Sequence, residues 1–191
     1  MDFYNDLVTQ KSWQTLQSLK KTLDFVVIGG WAVWLYTKAL KSKDIDIIVD
    51  YDQLEKLRKL YPVSKNDRLK KYEARNEEVQ IDIYLPHYSK IGIPVEDILK
   101  TTQSIDAFRV PAPDKLLALK LYVYSQRKLS AKGQKDRLDI LSLLLAFPQS
   151  APKPLPTELA TIVKETTKIP ELGVNEHAWS KLKKKLLSQS Q

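Results

Sequence analysis

The sequence predicts an α+β protein in which a sheet-forming first part is followed by a helical second part. Before residue 112, short runs rich in Val and Ile are separated by turn residues, a pattern typical of strands. After Pro113, apolar residues recur at the three- and four-residue spacing of amphipathic helices. We therefore divide the chain into a core over residues 1–112 and a helical region over residues 113–191.

The first part alternates between helices and strands. In chain order, the predicted elements are a helix over 3–22, a strand over 24–28, a helix over 31–40, a strand over 44–50, a helix over 52–60, strands over 68–76 and 79–85, a short helix after Pro94 and an edge strand near 105–110. The two strands on either side of Asn76-Glu77-Glu78 are predicted to form a hairpin. In the second of these strands, Asp82 faces away from Ile81 and Ile83 because side chains alternate along a strand.

The second part is predicted to be helical, with one interruption. Helices over 114–126 and 134–147 are followed by a loop over 148–156 that contains four prolines, and then by helices over 157–168 and 174–188. Because proline removes a backbone donor, we expect this loop to separate two pairs of helices.

The net charge of the chain is +8 and is concentrated in its second half. Residues 101–191 carry 15 Lys and Arg against 8 Asp and Glu, whereas residues 1–100 are nearly balanced. This distribution favours a polyanionic partner such as RNA, although Lys-rich surfaces are also common in ordinary proteins. The absence of cysteine excludes disulfides and thiolate metal sites. Because we see no signal peptide and no apolar run near the roughly 20 residues of a membrane span, we predict a cytoplasmic protein without membrane contact.

Gly29 and Gly30 lie between a predicted strand and a predicted helix. Glycine lets a ligand approach the backbone closely, and the first N–H groups of a helix attract anions. The pair is therefore a candidate phosphate site, with an ordinary turn as the alternative.

Three aspartates are candidate metal ligands. Asp44 and Asp46 point to the same side of a predicted strand, which separates their Cα atoms by about 6.6 Å. Aspartate is disfavoured in strands, and carboxylate oxygens are the ligands that magnesium prefers. If the strand of Asp82 lies beside that of Asp44, three carboxylates converge, and their mutual repulsion then requires cations. The alternative is an ordinary acidic surface.

The combination of these features resembles the DNA polymerase β-like nucleotidyltransferase superfamily. Its signature is a hydrophobic residue followed by Gly-Gly or Gly-Ser, a spacer, Asp-x-Asp and a third Asp on a later strand; here the parts are Ile28-Gly29-Gly30, Asp44-Ile45-Asp46 and Asp82. Within the superfamily, residues 29–49 are similar to the small prokaryotic branch of antibiotic nucleotidyltransferases and type IV toxin nucleotidyltransferases. The resemblance implies a mixed-sheet nucleotidyltransferase core and a helical C-terminal region that completes the active-site cleft.

The resemblance extends to two helices of the second part. The helix that carries Lys115 and Lys120 resembles one whose lysine serves nucleotide phosphates in the toxin-like proteins, and either lysine could be the match. Asp136 is similar to an aspartate at the active site of those proteins. The alternatives are a solvated helix face for the lysines and salt bridges to Lys132 and Lys135 for Asp136 and for Asp139, which lies on the same helical face. The predicted nucleotide-binding residues are Gly29, Gly30, Trp31, Lys43, Lys115, Lys120 and Asp136, with Trp31 contributing only its backbone N–H.

The resemblance implies an enzyme that transfers a nucleoside monophosphate (NMP) from a nucleoside triphosphate (NTP) to an acceptor hydroxyl and releases pyrophosphate. Asp44, Asp46 and Asp82 are then the catalytic residues and hold two Mg²⁺ ions, for which Mn²⁺ can substitute. From the basic second half we expect an RNA acceptor, such as a tRNA 3′ end, in a toxin-like protein with an antitoxin as a further expected partner. The alternatives are a small-molecule acceptor of the antibiotic type and a non-catalytic module that binds RNA or protein.

Overall fold

The structure, a computed structural model, describes residues 4–188 of the chain. The chain divides into two compact units between Ala112 and Pro113. The first unit, which we call the sheet unit, contains a seven-stranded sheet, and the second, the helical unit, is built from helices. The predicted α+β class is confirmed.

The sheet unit alternates between helices and strands as the sequence predicted. Its elements are α1 (Asp6–Lys20), β1 (Val26–Ile28), α2 (Gly29–Thr37), β2 (Ile45–Ile48), α3 (Tyr51–Leu60), β3 (Val63–Asn66), β4 (Lys71–Asn76), β5 (Val79–Tyr84), α4 (Val95–Leu99), β6 (Thr102–Ile105) and β7 (Phe108–Pro111). The predicted helix over 3–22 is found as α1, and its residue Phe3 lies outside the described residues.

The sheet is mixed and has the strand order β3-β4-β5-β2-β1-β7-β6. The pairs β2–β5 and β1–β7 are parallel, and the other four pairs are antiparallel. Strands β2 and β5, which carry the predicted catalytic aspartates, are neighbours in the interior of the sheet. The sheet topology therefore brings together two segments that are more than thirty residues apart in sequence.

The observed strands differ from the predicted ones in two places. Strand β3 was not predicted, because Ser64, Lys65 and Asn66 give this edge strand no apolar alternation. The single edge strand near 105–110 is instead a hairpin of β6 and β7, in which β6 is the edge and β7 lies inside the sheet against β1. Its short arms and the intervening turn made the hairpin look like one segment.

Aromatic side chains from three elements form part of the core of the sheet unit. Trp13 of α1 has ring centroids of Trp31, Trp34 and Phe108 within 5.0–5.5 Å. The buried indole N–H of Trp31 donates to the Ser12 hydroxyl at 2.8 Å. These contacts attach α1 to α2, the helix that follows the glycine pair.

The helical unit contains the four predicted helices. They are α5 (Pro113–Arg127), α6 (Ala131–Ala146), α7 (Thr157–Glu165) and α8 (Glu176–Leu187), with one-turn 3-10 helices at Pro148–Ser150 and Pro170–Leu172. Leu residues of α5 and α6 and the buried Trp179 of α8 form its core, and the Trp179 indole donates to the Thr166 carbonyl at 3.0 Å. Within residues 4–188, the helices lack the length and apolar character that crossing a membrane requires.

Candidate active site

The glycine pair opens α2 directly after β1. Gly29 has a φ of +67°, in the left-handed region, which lets the chain turn from strand into helix within one residue. Its predecessor Ile28 is the N-cap and has no side-chain oxygen, so the first N–H groups of this nine-residue helix receive no side-chain cap. The start of α2 is therefore a candidate anion site, and the phosphate contact predicted for Gly29 and Gly30 stays a prediction.

The backbone of Gly29 lies against the side chain of Asp46. A Cβ atom at position 29 would stand 2.2 Å from Asp46 Oδ2 and 2.9 Å from Asp46 Cβ, both far inside van der Waals contact. Only glycine satisfies the backbone angle and the close approach together. The first two parts of the predicted signature are thus adjacent in space.

Replacing Gly29 by alanine is expected to lower the free energy of unfolding by about 3 kcal/mol, from left-handed strain plus the clash with Asp46. The matched control is Gly173→Ala, because Gly173 has a similar φ of +64° but nothing within 4 Å of an added Cβ. We expect this control to cost about 1–2 kcal/mol, the strain alone. Urea denaturation measures both values, and equal losses would contradict the role given to the contact with Asp46.

Asp46 and Asp82 are direct neighbours across the parallel pair β2–β5. Residues in register point to the same face of a sheet, and adjacent strands lie about 4.8 Å apart. Glu73 of β4 is in turn the register partner of Asp82. We call Glu73, Asp82 and Asp46 the acidic row. Asp44 is half-buried and precedes β2, two residues before Asp46.

Lys71 supplies positive charge to the acidic row. Its Nζ lies 2.6 Å from Asp82 Oδ2 and 3.0 Å from Glu73 Oε1, with only 12% of the lysine side chain exposed. The other oxygen of Asp82 accepts from Gln80 Nε2 at 3.1 Å, and Asp46 Oδ1 accepts from the Tyr84 hydroxyl at 3.4 Å. The sequence predicts that cations from solution neutralise these carboxylates, whereas the chain also provides a cation from its own β4.

The pKa shifts in this cluster follow from the ion pairs. Burial is the largest influence on Lys71 and lowers its pKa, but the hydrogen bonds and charges of Asp82 and Glu73 outweigh it and the net pKa is raised. The hydrogen bond from Lys71 lowers the pKa of Glu73. Both groups are therefore charged at neutral pH.

The residues present fit a magnesium ion in their chemistry. Asp46 and Asp82 offer hard carboxylate oxygens side by side, and Asp82 already has a positively charged neighbour in Lys71. Among residues 4–188, no three Asp, Glu, His or Cys side chains are grouped in a way that could already hold a metal ion. The structure therefore brings Asp46 and Asp82 together, while the metal role predicted for Asp44, Asp46 and Asp82 stays a prediction.

Comparison with known proteins identifies the fold. No family model and no curated protein matches the sequence. Among solved structures, the chain is similar to JHP933 from Helicobacter pylori, at 18% identity and a TM-score of 0.53, with 95% of this chain and 94% of that chain covered. It is also similar to the antibiotic-resistance factor ANT(2″)-Ia, at 16% identity and a TM-score of 0.50, with 72% and 84% covered. The Megavirus polyadenylate synthase matches at 16% identity and a TM-score of 0.53, with 78% and 34% covered.

The chain has a nucleotidyltransferase fold. In this fold the glycine pair, β2 and β5 meet at one place of the sheet unit. The side chain of Trp31, a predicted nucleotide-binding residue, is buried in the aromatic core, so only its backbone remains for a ligand. Lys43, another of these residues, is half-buried, and its Nζ lies 5.3 Å from the ring centroid of Tyr4.

The helical unit of this nucleotidyltransferase fold contains a buried ion network. Lys120 Nζ lies 3.1 Å from Asp136 Oδ1 and 2.7 Å from Asp139 Oδ2, and Arg127 Nε lies 2.8 Å from Asp136 Oδ2. Lys135 Nζ contacts both oxygens of Asp139 at 2.8 and 2.9 Å. These five residues form what we call the α5–α6 ion network.

The α5–α6 ion network decides between several alternatives. Lys120 is 6% exposed, so a solvated helix face is wrong for this lysine, whereas Lys115 is half-exposed and 3.9 Å from Asp114. Asp136 pairs with Lys120 and Arg127, whereas Asp139 forms the salt bridge to Lys135 that was the alternative for it. Burial raises the pKa of Asp136, but the neighbouring Lys120 and Arg127 outweigh it and the net pKa is lowered. The predicted nucleotide contacts of Lys115, Lys120 and Asp136 stay predictions.

Sequence reasoning missed Lys71 and Glu73 at the site. Both lie on β4, two residues apart and on one face, and the register of the β4–β5 hairpin puts that face beside Asp82. A signal was available, because the hairpin turn was predicted correctly. With Asn76 paired to Val79, counting back three residues on one arm and forward three on the other pairs Glu73 with Asp82.

Proposed function

We propose that this chain is a metal-dependent nucleotidyltransferase that transfers NMP from an NTP to an acceptor hydroxyl. The observation that carries the proposal is the contact of Gly29, at the start of α2, with Asp46, which is in register with Asp82. A phosphate at the helix start would face a carboxylate, and two such negative groups are compatible only with a cation between them. This pairing of an anion site with acidic residues suits a metal-bound triphosphate.

Asp44, Asp46 and Asp82 are the residues that would hold the ions, which we propose to be two Mg²⁺ or Mn²⁺. When bound, the metal would supply charge stabilisation to the phosphates and activation of the acceptor hydroxyl. The side chain of Tyr84 keeps Asp46 oriented by donating to Oδ1, and Gln80 does the same for Asp82. These hydrogen bonds hold the carboxylates on the site face of the sheet before any ligand arrives.

The backbone of Gly29 and Gly30 is the proposed phosphate-binding element. The N–H groups there have no side-chain cap, and the helix dipole adds partial positive charge at the same end. Because Gly29 has no side chain, a phosphate can approach both the backbone and Asp46. Binding at this position orients the triphosphate relative to the acidic row.

RNA is the acceptor that the charge distribution favours. Residues 101–191 have a net charge of +7, from 15 basic and 8 acidic residues, which attracts a polyanion. A small hydroxylated molecule is the second candidate, because the fold matches the antibiotic-resistance factor ANT(2″)-Ia over 84% of that protein. An antitoxin partner stays a prediction.

The experiment that tests the proposal supplies the full chain with Mg²⁺, each of the four α-labelled NTPs and either total RNA or a panel of aminoglycosides. Transfer of the label to RNA would support RNA as the acceptor. Transfer of the label to a small molecule, with no label on RNA, would show that the acceptor is a small molecule instead. Titration calorimetry with each NTP and Mg²⁺ is the companion measurement. If neither transfer nor nucleotide binding were observed, the proposal of an enzyme would be rejected, and a non-catalytic binding module would be the remaining alternative.

A further inference from the structure

We propose that Lys71 is an internal counter-ion of Asp82 that a divalent cation displaces, and that Glu73 retains the displaced lysine. This inference rests on the proposed function, since it requires a metal ion at Asp82. It assigns functional roles to two residues of β4 that lie outside the nucleotidyltransferase signature.

Without a metal, both oxygens of Asp82 contact side chains of the same chain. Its Oδ2 is 2.6 Å from Lys71 Nζ and its Oδ1 is 3.1 Å from Gln80 Nε2, so both oxygens are engaged by the chain itself. The carboxylate is 16% exposed, and Lys71 therefore replaces much of the water that would otherwise solvate it. The short ion pair compensates part of the negative charge of the acidic row while no metal is present.

A metal ion on Asp82 Oδ2 would compete with Lys71 for that oxygen. A magnesium ligand bond is about 2.1 Å long, so an ion on Asp82 Oδ2 would stand close to the ammonium of Lys71. Two cations at such a distance in a partly buried site repel each other strongly. Metal binding at Asp82 Oδ2 would therefore require Lys71 to move away from that oxygen.

Glu73 is the ionic partner that Lys71 would keep after it leaves Asp82. Glu73 is two residues along the same strand and on the same face, and its Oε1 already lies 3.0 Å from Lys71 Nζ. Asn66 Nδ2 donates to the same oxygen at 3.0 Å and fixes its position. Lys71 can give up Asp82 and still keep an ionic partner, which makes the exchange less costly than releasing the lysine into solvent.

The test measures the affinity of the full chain for Mn²⁺ alone, by the electron paramagnetic resonance signal of free Mn²⁺. Lys71→Met and Lys71→Gln are expected to bind Mn²⁺ about tenfold more tightly than the wild type, because the competing charge is gone. In a chelating buffer, the same variants should melt at lower temperature, because the acidic row is left without its counter-ion. Lys38→Met is the matched control, since the Lys38–Asp106 pair is exposed at the surface, and it should bind within about twofold of wild type.

Glu73→Gln tests whether Glu73 acts by retaining the displaced Lys71 or only by adding negative charge near the metal. This variant should bind Mn²⁺ about threefold more weakly, because the displaced lysine has lost its partner. In the Lys71→Met background, the same change should have less than about a twofold effect, whereas independent charges would give additive effects. Additive effects, or unchanged affinity in both Lys71 variants, would overturn the inference while Mn²⁺ binding by the wild type still supported the proposed function. A wild type that does not bind Mn²⁺, with or without NTP, would overturn both.

Discussion

Replacing Asp46 by asparagine is expected to lower NMP transfer about a thousandfold, equivalent to about 4 kcal/mol of transition-state stabilisation. Asp46 lies against the start of α2 and is in register with Asp82, so in the proposed function its charge would be needed to hold the metal next to the phosphates. Asparagine keeps the shape and one oxygen, and it relieves repulsion within the acidic row. The melting temperature in chelating buffer should therefore stay the same or rise.

The control for this experiment is Asp24→Asn. Asp24 is an exposed carboxylate of the same unit, paired with Arg109 at 3.1 Å, and its loss should leave the transfer rate within about twofold. Initial rates with labelled NTP and the acceptor identified for the wild type provide the measurement. If Asp46→Asn kept more than a tenth of the wild-type rate, the assignment of the site would be wrong.

Replacing Asp139 by asparagine is expected to lower the free energy of unfolding by about 3–5 kcal/mol. Asp139 is 1% exposed and accepts from Lys135, itself 4% exposed, and it also pairs with Lys120. Burial lowers the pKa of Lys135, and the charge and hydrogen bond of Asp139 oppose that shift. Removing the negative charge leaves a buried cation without compensation. Urea denaturation and hydrogen exchange of α6 measure the loss.

Two further variants test whether burial of the ion pair causes the loss of stability expected for Asp139→Asn. Glu55→Gln removes the acid of an exposed helical pair with Arg58, and it should cost less than about 1 kcal/mol. Adding Lys135→Met to Asp139→Asn should restore part of the lost stability, because the uncompensated ammonium is then replaced by an apolar side chain. A loss below 1 kcal/mol for Asp139→Asn itself would mean that the α5–α6 ion network contributes little to stability.

The register of the β4–β5 hairpin shows what local sequence can determine. A turn around Asn76-Glu77-Glu78 and the alternation of Val79, Ile81 and Ile83 were predicted, and both are found, with Asn76 paired to Val79 and the turn formed by Glu77 and Glu78. These two observations fix which side chain of β4 lies beside Asp82, because pairing in a hairpin follows by counting from the turn. Glu73 was therefore within reach of the sequence, although it was not predicted.

The parallel pairing of β2 with β5 is a different case. The chain between Asp46 and Asp82 forms α3, β3 and β4, so no local turn sets the register of these two residues. The apolar residues Ile45, Ile47, Ile81 and Ile83 fit a buried interior strand, but they would allow a slip by two residues as well as the observed pairing. The α5–α6 ion network is similar, since the partner of Lys120 depends on how two helices pack.

The sequence by itself determined the class of fold, the strand–glycine–helix unit and the carboxylates that carry the candidate chemistry, because each is encoded by neighbours along the chain. Only the tertiary structure decided that Gly29 touches Asp46, that Asp46 is level with Asp82, and that Lys71 is the cation beside them. These contacts join separate segments through sheet order and close packing. Both depend on the whole folded unit rather than on local sequence preference.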